Sequence, residues 1–573
     1  MNERRSLWIV VLAALALRLV LLVARGDYIV YDEGYYLLLA RSLRAGHGFA
    51  LNGLPHVALS PLQPVLVALA SAAGVPDLWA SRLLAAVCGS LLVLPVAALG
   101  ARAGGPRAGI VAAAFTAASP ALMSFVPFFP GQSWNLYFGS EPLFLLLAFG
   151  AAAAAARAEE GGWRWWVAAG ALAGASYLAR AEGAVLAGTL LLVLAARVAL
   201  RGRGAASWRN LALAAFAAAA MAAPYLLYLH ATLGRWAVSG RVQAASEAGE
   251  ETPSAVQGAR SGGQVLEQFV WQGRPAAFLQ ALYGLDASGT RMASQYWGVH
   301  REPLSPTLPA ASAPLPAAAP SSSPPPAVPA APAAPARSAW AVWRQGLAAV
   351  VPWWMAALAL AGLVVARREA LIWVFPLAVT AVLPSLLTYV EPRSLLPLAP
   401  LAAVYAAVAA LWLAARVEAR WKKAGAAVPA VVALALFAPG ARDLVRAWPQ
   451  TTPLQQVATA RRAVGEYLAQ HLPPDSIVMS WHPAVAVWAS RAWRVLPYAS
   501  FERITGYARA ERVAAVVFSR FEPSPLTAPP RAFTVILPGA GTAAGARVEV
   551  QPVDETPLLF VGRLASAPQP AAR

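Results

Sequence analysis

"LWIVVLAALALRLVLLVARGDYIVYDEGYYLLLARSLRAG" (Leu7–Gly46) joins an apolar run to a pair of adjacent carboxylates, Asp32 and Glu33. An α-helix needs about 20 mostly apolar residues to cross the hydrocarbon of a bilayer, and residues 7–25 meet that length. Arg4 and Arg5 precede the run, and Ala24-Arg25-Gly26 after it lacks the small residues of a signal cleavage site, so the run reads as an uncleaved first span. The whole chain has the same character. Of its 573 residues 59% are apolar and 13% charged, with mean hydropathy +0.54. Soluble domains hold about 45–50% apolar and about 25% charged residues, so this is an integral membrane protein. The net charge of +18 falls in short clusters between apolar runs, a pattern of topology and phospholipid headgroup contact rather than nucleic-acid binding. The single cysteine, Cys88, excludes an intrachain disulfide.

Working outward, the expected spans are 7–25, 81–100, 108–127, 142–157, 165–180, 184–200, 211–229, 340–365, 370–389, 394–415 and 425–440. With these about 11 spans, the connections bearing Arg102/Arg107, Arg157/Arg164, Arg197 to Arg209, Arg367/Arg368 and Arg416 to Lys423 share the side of Arg4/Arg5. The positive-inside rule makes that side cytoplasmic. Residues 26–80, 128–141, 180–183, 230–339, 390–393 and the chain beyond about residue 441 then lie outside. Within the 26–80 loop, 34–45 and 61–73 read as short helices, interfacial or packed on the bundle. In the long 230–339 loop, 303–336 is rich in proline and reads as a semi-rigid linker. The polar C-terminal part, within 441–573, alternates an amphipathic helix ("QVATARRAVGEYLAQH") with strand-like "SIVMSW", "VAAVVFS", "AFTVIL", "ARVEVQP" and "PLLFVG". The expected architecture is an all-α polytopic bundle over 1–440 and a small α/β extracytoplasmic domain over 441–573.

A charge at the hydrocarbon boundary is costly unless paired or wet, so charges at one mouth of the bundle are functional candidates. Asp32 and Glu33 follow span one. Glu141 ("FGSEPLF") precedes span four, Arg180 and Glu182 ("YLARAEG") form the turn between spans five and six, and Arg393 ("YVEPRSLLPLAP") starts span ten. Each alone reads as a solvated cap or interface anchor; together they fall on one face of the membrane. A carboxylate there can take a proton from a hydroxyl. Arginines can hold a phosphate bidentately, and further carboxylates can share a hard divalent cation such as Mg2+ or Mn2+. That set suits transfer of a group from a membrane-bound phosphate ester to a hydroxyl. A nucleotide donor fits poorly, since no glycine-rich phosphate loop is present. His230, at the outer end of span seven, is the histidine best placed for a metal, with no i,i+4 partner beside it.

"YDEGYYLLLARSLRAGHGF", "SPLQPVL", "SEPLF", "YLARAEG" and "PRSLLPLAPL" together resemble the dolichyl-phosphate-mannose–protein mannosyltransferase superfamily, most nearly its bacterial branch of lipopolysaccharide glycosyltransferases and lipid A aminoarabinose transferases. The resemblance covers roughly 5–230 and 340–440 and implies a GT-C fold. It implies inverting transfer of a hexosyl or pentosyl group from a polyprenyl-phosphate sugar to a lipid, glycan or protein hydroxyl, at the outer face of a bacterial inner membrane. It gives Asp32 the role of base, Glu33 that of orienting it or joining a metal site, and Glu141 the second acidic position, with Glu182 beside it. Arg180 and Arg393 become the ligands of the lipid phosphate. The competing class is a transporter with an outward charged vestibule. Transporters place polar groups at the bilayer midplane, whereas here the charges cluster at the mouth.

Overall fold

Apolar runs punctuated by proline, glycine and arginine fold as helices in the computed structural model. It describes residues 3–25, 29, 32–51, 54–123, 125–126, 135–136, 139–158, 160, 162–200, 205–240, 339–367, 372–387, 392–421, 427–447, 453–480, 482–496, 508, 511–519, 533–537, 546–548 and 560–561. The proline-rich stretch 303–336, and all of the 230–339 loop except 230–240 and 339, lie outside the described residues. Two units are distinguished: Met1–Leu51, Pro55–Gln243 and Trp343–Thr459 form the first, and Asn52–Leu54, Ala244–Val342 and Ala460–Arg573 the second.

The first unit is helical. In chain order its helices are α1 (Glu3–Arg25), α2 (Glu33–Arg44), α3 (Leu62–Ala72), α4 (Asp77–Leu91), α5 (Val93–Gly104), α6 (Pro106–Ala118), α7 (Glu141–Ala158), α8 (Trp163–Ala179), α9 (Gly183–Leu200) and α10 (Ala205–Leu233). They continue with α11 (Ala339–Val350), α12 (Trp353–Val365), α13 (Val374–Leu387), α14 (Leu398–Arg420) and α15 (Ala427–Ala447). Among the described residues six helices are long and apolar enough to cross a membrane: Glu3–Val23 of α1, α4 with α5, α7, α9, α10 and α14.

Proline sets where other runs stop. The expected span 340–365 is two helices, because Pro352 offers no N–H and holds Val351 out of the helix. The run 108–127 ends its helix at Ala118, since Pro120 pushes Ser119 into extended backbone (φ −71°, ψ 117°). α4 and α5 are parted at Leu92, where Pro95 has no N–H to return to the Leu91 carbonyl.

α7 and α14 form the centre of the bundle, with 72% of their apolar windows buried, against 17% for α10 at the edge. Alanine makes this possible: Ala151, Ala152, Ala153, Ala154, Ala155 and Ala156 of α7 are all buried, and small side chains let helix backbones approach. α8 meets α10 in the same way. A Cβ on Gly170 would fall 1.9 Å from the Ala214 carbonyl oxygen, and one on Gly174 2.5 Å from that of Ala218. At one end of the bundle, Arg102 Nη2 lies 2.8 Å from Glu160 Oε1, and the Arg367 N–H donates to the Ala103 carbonyl. Three of the arginine-bearing connections therefore share one end. Arg18 is a charge inside a span, and it donates to the carbonyls of Ala14 (3.1 Å) and Leu122 (2.6 Å) while its Nε lies over Gly89.

In the second unit the described strands make one sheet, in the order Phe560–Val561, Phe533–Leu537, Val513–Ser519, Ile477–Ser480, Ala492–Val495, with Ala546–Val548 paired to Phe533–Leu537. Ile477–Ser480 has parallel neighbours on both sides, which suits its continuous apolar sequence. The Arg491 guanidinium donates to the carbonyls of Ala469 and Leu472, closing the C-terminus of the helix Pro453–His471 where a cation is favoured.

The α8–α10 contact is directly testable. Gly170→Val should cost about 1–3 kcal/mol through overpacking. Gly188→Val, where an added Cβ meets open space, is the control. Thermal unfolding in detergent should drop for the first and much less for the second.

Candidate functional site

α2 brings the first two carboxylates into the bundle. Its residues from Glu33 through Ala40 are all buried, so the first two turns of the helix are enclosed by protein while its last turn, with Arg44, reaches the surface. Asp32 occupies the N-cap position, yet its side chain makes no capping bond to its own helix. It is turned instead to the guanidinium of Arg393, whose Nη1 donates to Asp32 Oδ2 at 2.9 Å. Arg393 comes from the short 3-10 turn Pro392–Leu395 just before α14.

From there an ion-pair chain continues. Arg393 Nη1 lies 3.8 Å from Glu141 Oε1, and Arg180 Nη1 donates to the same oxygen at 2.6 Å. Arg180 Nη2 then donates to Glu182 Oε1 at 2.7 Å. Glu141 is the first residue of α7, where the helix dipole favours a carboxylate. Arg180 ends α8 by taking extended backbone (φ −153°, ψ 144°), and the turn is tight because Gly183 follows: a Cβ there would meet the Tyr177 nitrogen at 2.2 Å. Burial works against the charge of Arg180, but Glu182 and Glu141 outweigh it and hold its pKa well above the usual value. Arg180 is a cation at every accessible pH.

The chain of Asp32, Arg393, Glu141, Arg180 and Glu182 joins three carboxylates and two guanidinia. Glu141 Oε2 is buried with no hydrogen-bond partner among the described residues. Beside it, the hydroxyls of Tyr36 and Ser140 are 2.9 Å apart. Burial, then the carboxylates of Asp32 and Glu141, push the Tyr36 phenol up to about 12, so it stays neutral.

Five of the seven residues singled out from sequence thus meet at one end of the bundle. Glu33 does not join them. It points inward, fully buried, with Oε1 3.4 Å from Nε of Arg82 in α4. His230 stacks on Trp236 with ring centroids 4.4 Å apart. Among the described residues no group of three or more His, Cys, Asp or Glu side chains is arranged to hold a metal ion. Sequence reasoning missed Arg82, Tyr36 and Ser140. The signal for Arg82 was available: it is a lone charge inside "LWASRLLAAVCGSL", where burial demands a partner.

The ion-pair chain makes a prediction about stability. Arg180→Met leaves the buried Glu141 with only the longer 3.8 Å contact to Arg393 among the described ion pairs, and breaking a buried pair from one side costs about 3–5 kcal/mol. Replacing both, Arg180→Met with Glu141→Leu, should recover much of that loss in denaturant or thermal unfolding.

Residues 59–228 match the family described as dolichyl-phosphate-mannose-protein mannosyltransferase. The fold is similar to that of ArnT from Cupriavidus metallidurans in the apo state, at TM-score 0.52 and 14% identity, covering 89% of this chain and 92% of that one. It is similar to the Archaeoglobus fulgidus oligosaccharyltransferase in the apo form (TM-score 0.52, 16% identity, 91% of this chain and 70% of that chain). The same enzyme tethered to an acceptor peptide containing the NVT sequon gives TM-score 0.51 at 15% identity, over 90% and 69% of the two chains. A search of curated proteins returns no match. The resemblance read from the sequence holds: residues 59–228 carry the pattern of the dolichyl-phosphate-mannose–protein mannosyltransferase family, and the chain has the fold of GT-C glycosyltransferases.

Proposed function

We propose that this protein is an inverting glycosyltransferase that moves a hexosyl or pentosyl group from a polyprenyl-phosphate carrier to a hydroxyl of a lipid, glycan or protein acceptor. The observation that carries the reading is the buried ion-pair chain from Asp32 through Arg393, Glu141 and Arg180 to Glu182 at one end of an apolar bundle. The site belongs at the outer face of a bacterial inner membrane, with the N-terminus cytoplasmic by the arginine distribution.

In this mechanism Asp32 takes the proton of the acceptor hydroxyl as the acceptor oxygen bonds to the anomeric carbon. The bond from that carbon to the phosphate oxygen breaks on the opposite face, its electron pair passing to the phosphate. Arg393 and Arg180 offer N–H donors for the charge that develops there. Both are held by carboxylates in the resting site, so a lipid phosphate must compete with Asp32 for Arg393. That exchange frees the base as the donor binds. A divalent cation such as Mg2+ or Mn2+ would be held by carboxylate oxygens that the arginines do not use, such as Glu141 Oε2, and would offset negative charge beside the phosphate.

The experiment is turnover of a panel of polyprenyl-phosphate-linked hexoses and pentoses by the purified protein, read as release of polyprenyl phosphate with membrane extract as acceptor. Asp32→Asn should lower turnover by about 10²–10⁴-fold with insertion and folding intact. Full activity in that variant would remove Asp32 from the chemistry.

A further inference from the structure

Glu33 and Arg82 form a further ion pair, 3.4 Å from Nε to Oε1. Both side chains are buried, Glu33 completely and Arg82 at 2% exposure. Removing two charges from water costs several kcal/mol per ion, and an apolar pair of similar volume often leaves a protein as stable or more so. Stability alone therefore gives no reason for this pair.

Direction gives one. α2 carries an acid, Glu33, in its first turn and the bases Arg41 and Arg44 in its last. α4 carries an acid, Asp77, at its start, and Arg82 about a turn and a half further on. Arg41 Nε and Arg44 Nη1 each lie 2.7 Å from an oxygen of Asp77, while Arg82 holds Glu33. The two helices are thus tied by ion pairs of opposite polarity at the two ends of α2. Reversing α2 against α4 would bring acid to acid and base to base. Asp32 immediately precedes Glu33, and neighbouring helical residues point about 100° apart, so fixing Glu33 against α4 turns Asp32 onto a different face, where it meets Arg393.

We propose that Arg82 is a positioning residue for Asp32, acting through Glu33 to fix the first turn of α2. The proposal rests on Asp32 being the base. Glu33 then belongs to the scaffold and touches neither donor nor metal.

The test uses the full-length protein in detergent or nanodiscs, with Arg82→Leu, Arg82→Lys, Glu33→Gln, Glu33→Arg and the swapped pair Glu33→Arg/Arg82→Glu. Two measurements are made: turnover of the polyprenyl-phosphate sugar panel, and hydrogen–deuterium exchange of the peptide covering residues 32–40. Arg82→Leu should lower kcat by up to about 100-fold, the cost of a misplacement near 1 Å. Its donor KM should stay within about twofold, because the phosphate ligands are untouched. Exchange in 32–40 should speed up while that of α9 stays unchanged. Arg82→Lys, or the swapped pair relative to Glu33→Arg alone, should restore both readouts in part, and these carry the test if Arg82→Leu does not fold. Wild-type kcat and exchange in Arg82→Leu would overturn the proposal. So would a folded Glu33→Gln with unchanged exchange but lost turnover, which would put Glu33 on the substrate. Should Asp32→Asn keep wild-type turnover, the catalytic reading falls and Arg82 no longer has a base to position; the exchange data, which need no substrate, identify that failure separately.

Discussion

Charges that leave water inside an apolar bundle must find partners, and this constraint shapes the end of the first unit. Asp32, Glu141 and Glu182 lie on three different segments of the chain, and Arg180, from the same turn as Glu182, and Arg393, from a fourth segment, bind them together. Arg180 alone joins α7 to the α8–α9 turn, and Arg393 joins α2 to the start of α14. The ends of these helices are therefore coupled, and Asp32, Glu141, Arg180 and Arg393 are each fixed by a group far away in sequence. Such a network is expensive to desolvate, and its geometry must be good to be tolerated. The same stiffness makes it a preorganised site, able to meet developing charge without rearranging water.

The surrounding packing serves this arrangement. Alanine-lined α7 and α14 occupy the centre, and Glu141 in the first turn of α7 and Arg393 in the 3-10 turn before α14 are carried into the interior with them. Glycine at 183 lets α9 begin directly against the end of α8, which is what turns the Arg180 side chain back toward Glu141. The Tyr36–Ser140 contact ties the buried first turns of α2 to the residue before α7. Small residues thus decide where the large charged ones meet.

Much of this was legible in the sequence. Apolar length identified the helices, and the sidedness of arginine-bearing turns put Asp32, Glu141, Arg180, Glu182 and Arg393 on one face before any coordinates. Three things were not legible. Adjacent helical residues diverge in direction, so Asp32 and Glu33 look equivalent in a string and meet different arginines in space. The partner of Glu33, Arg82, lies 49 positions away, and no periodicity links two positions that meet only through tertiary packing. Helix ends set by Pro120 and Pro352 shortened or split runs whose composition alone reads as continuous.

The most direct measurement is a structure of the protein with a non-transferable polyprenyl-phosphonate sugar bound. The account predicts the phosphonate oxygens within hydrogen-bonding distance of Arg393 and Arg180, Asp32 released from Arg393, and the anomeric carbon facing Asp32. A phosphonate seated away from both arginines, with the Asp32–Arg393 pair intact, would contradict it.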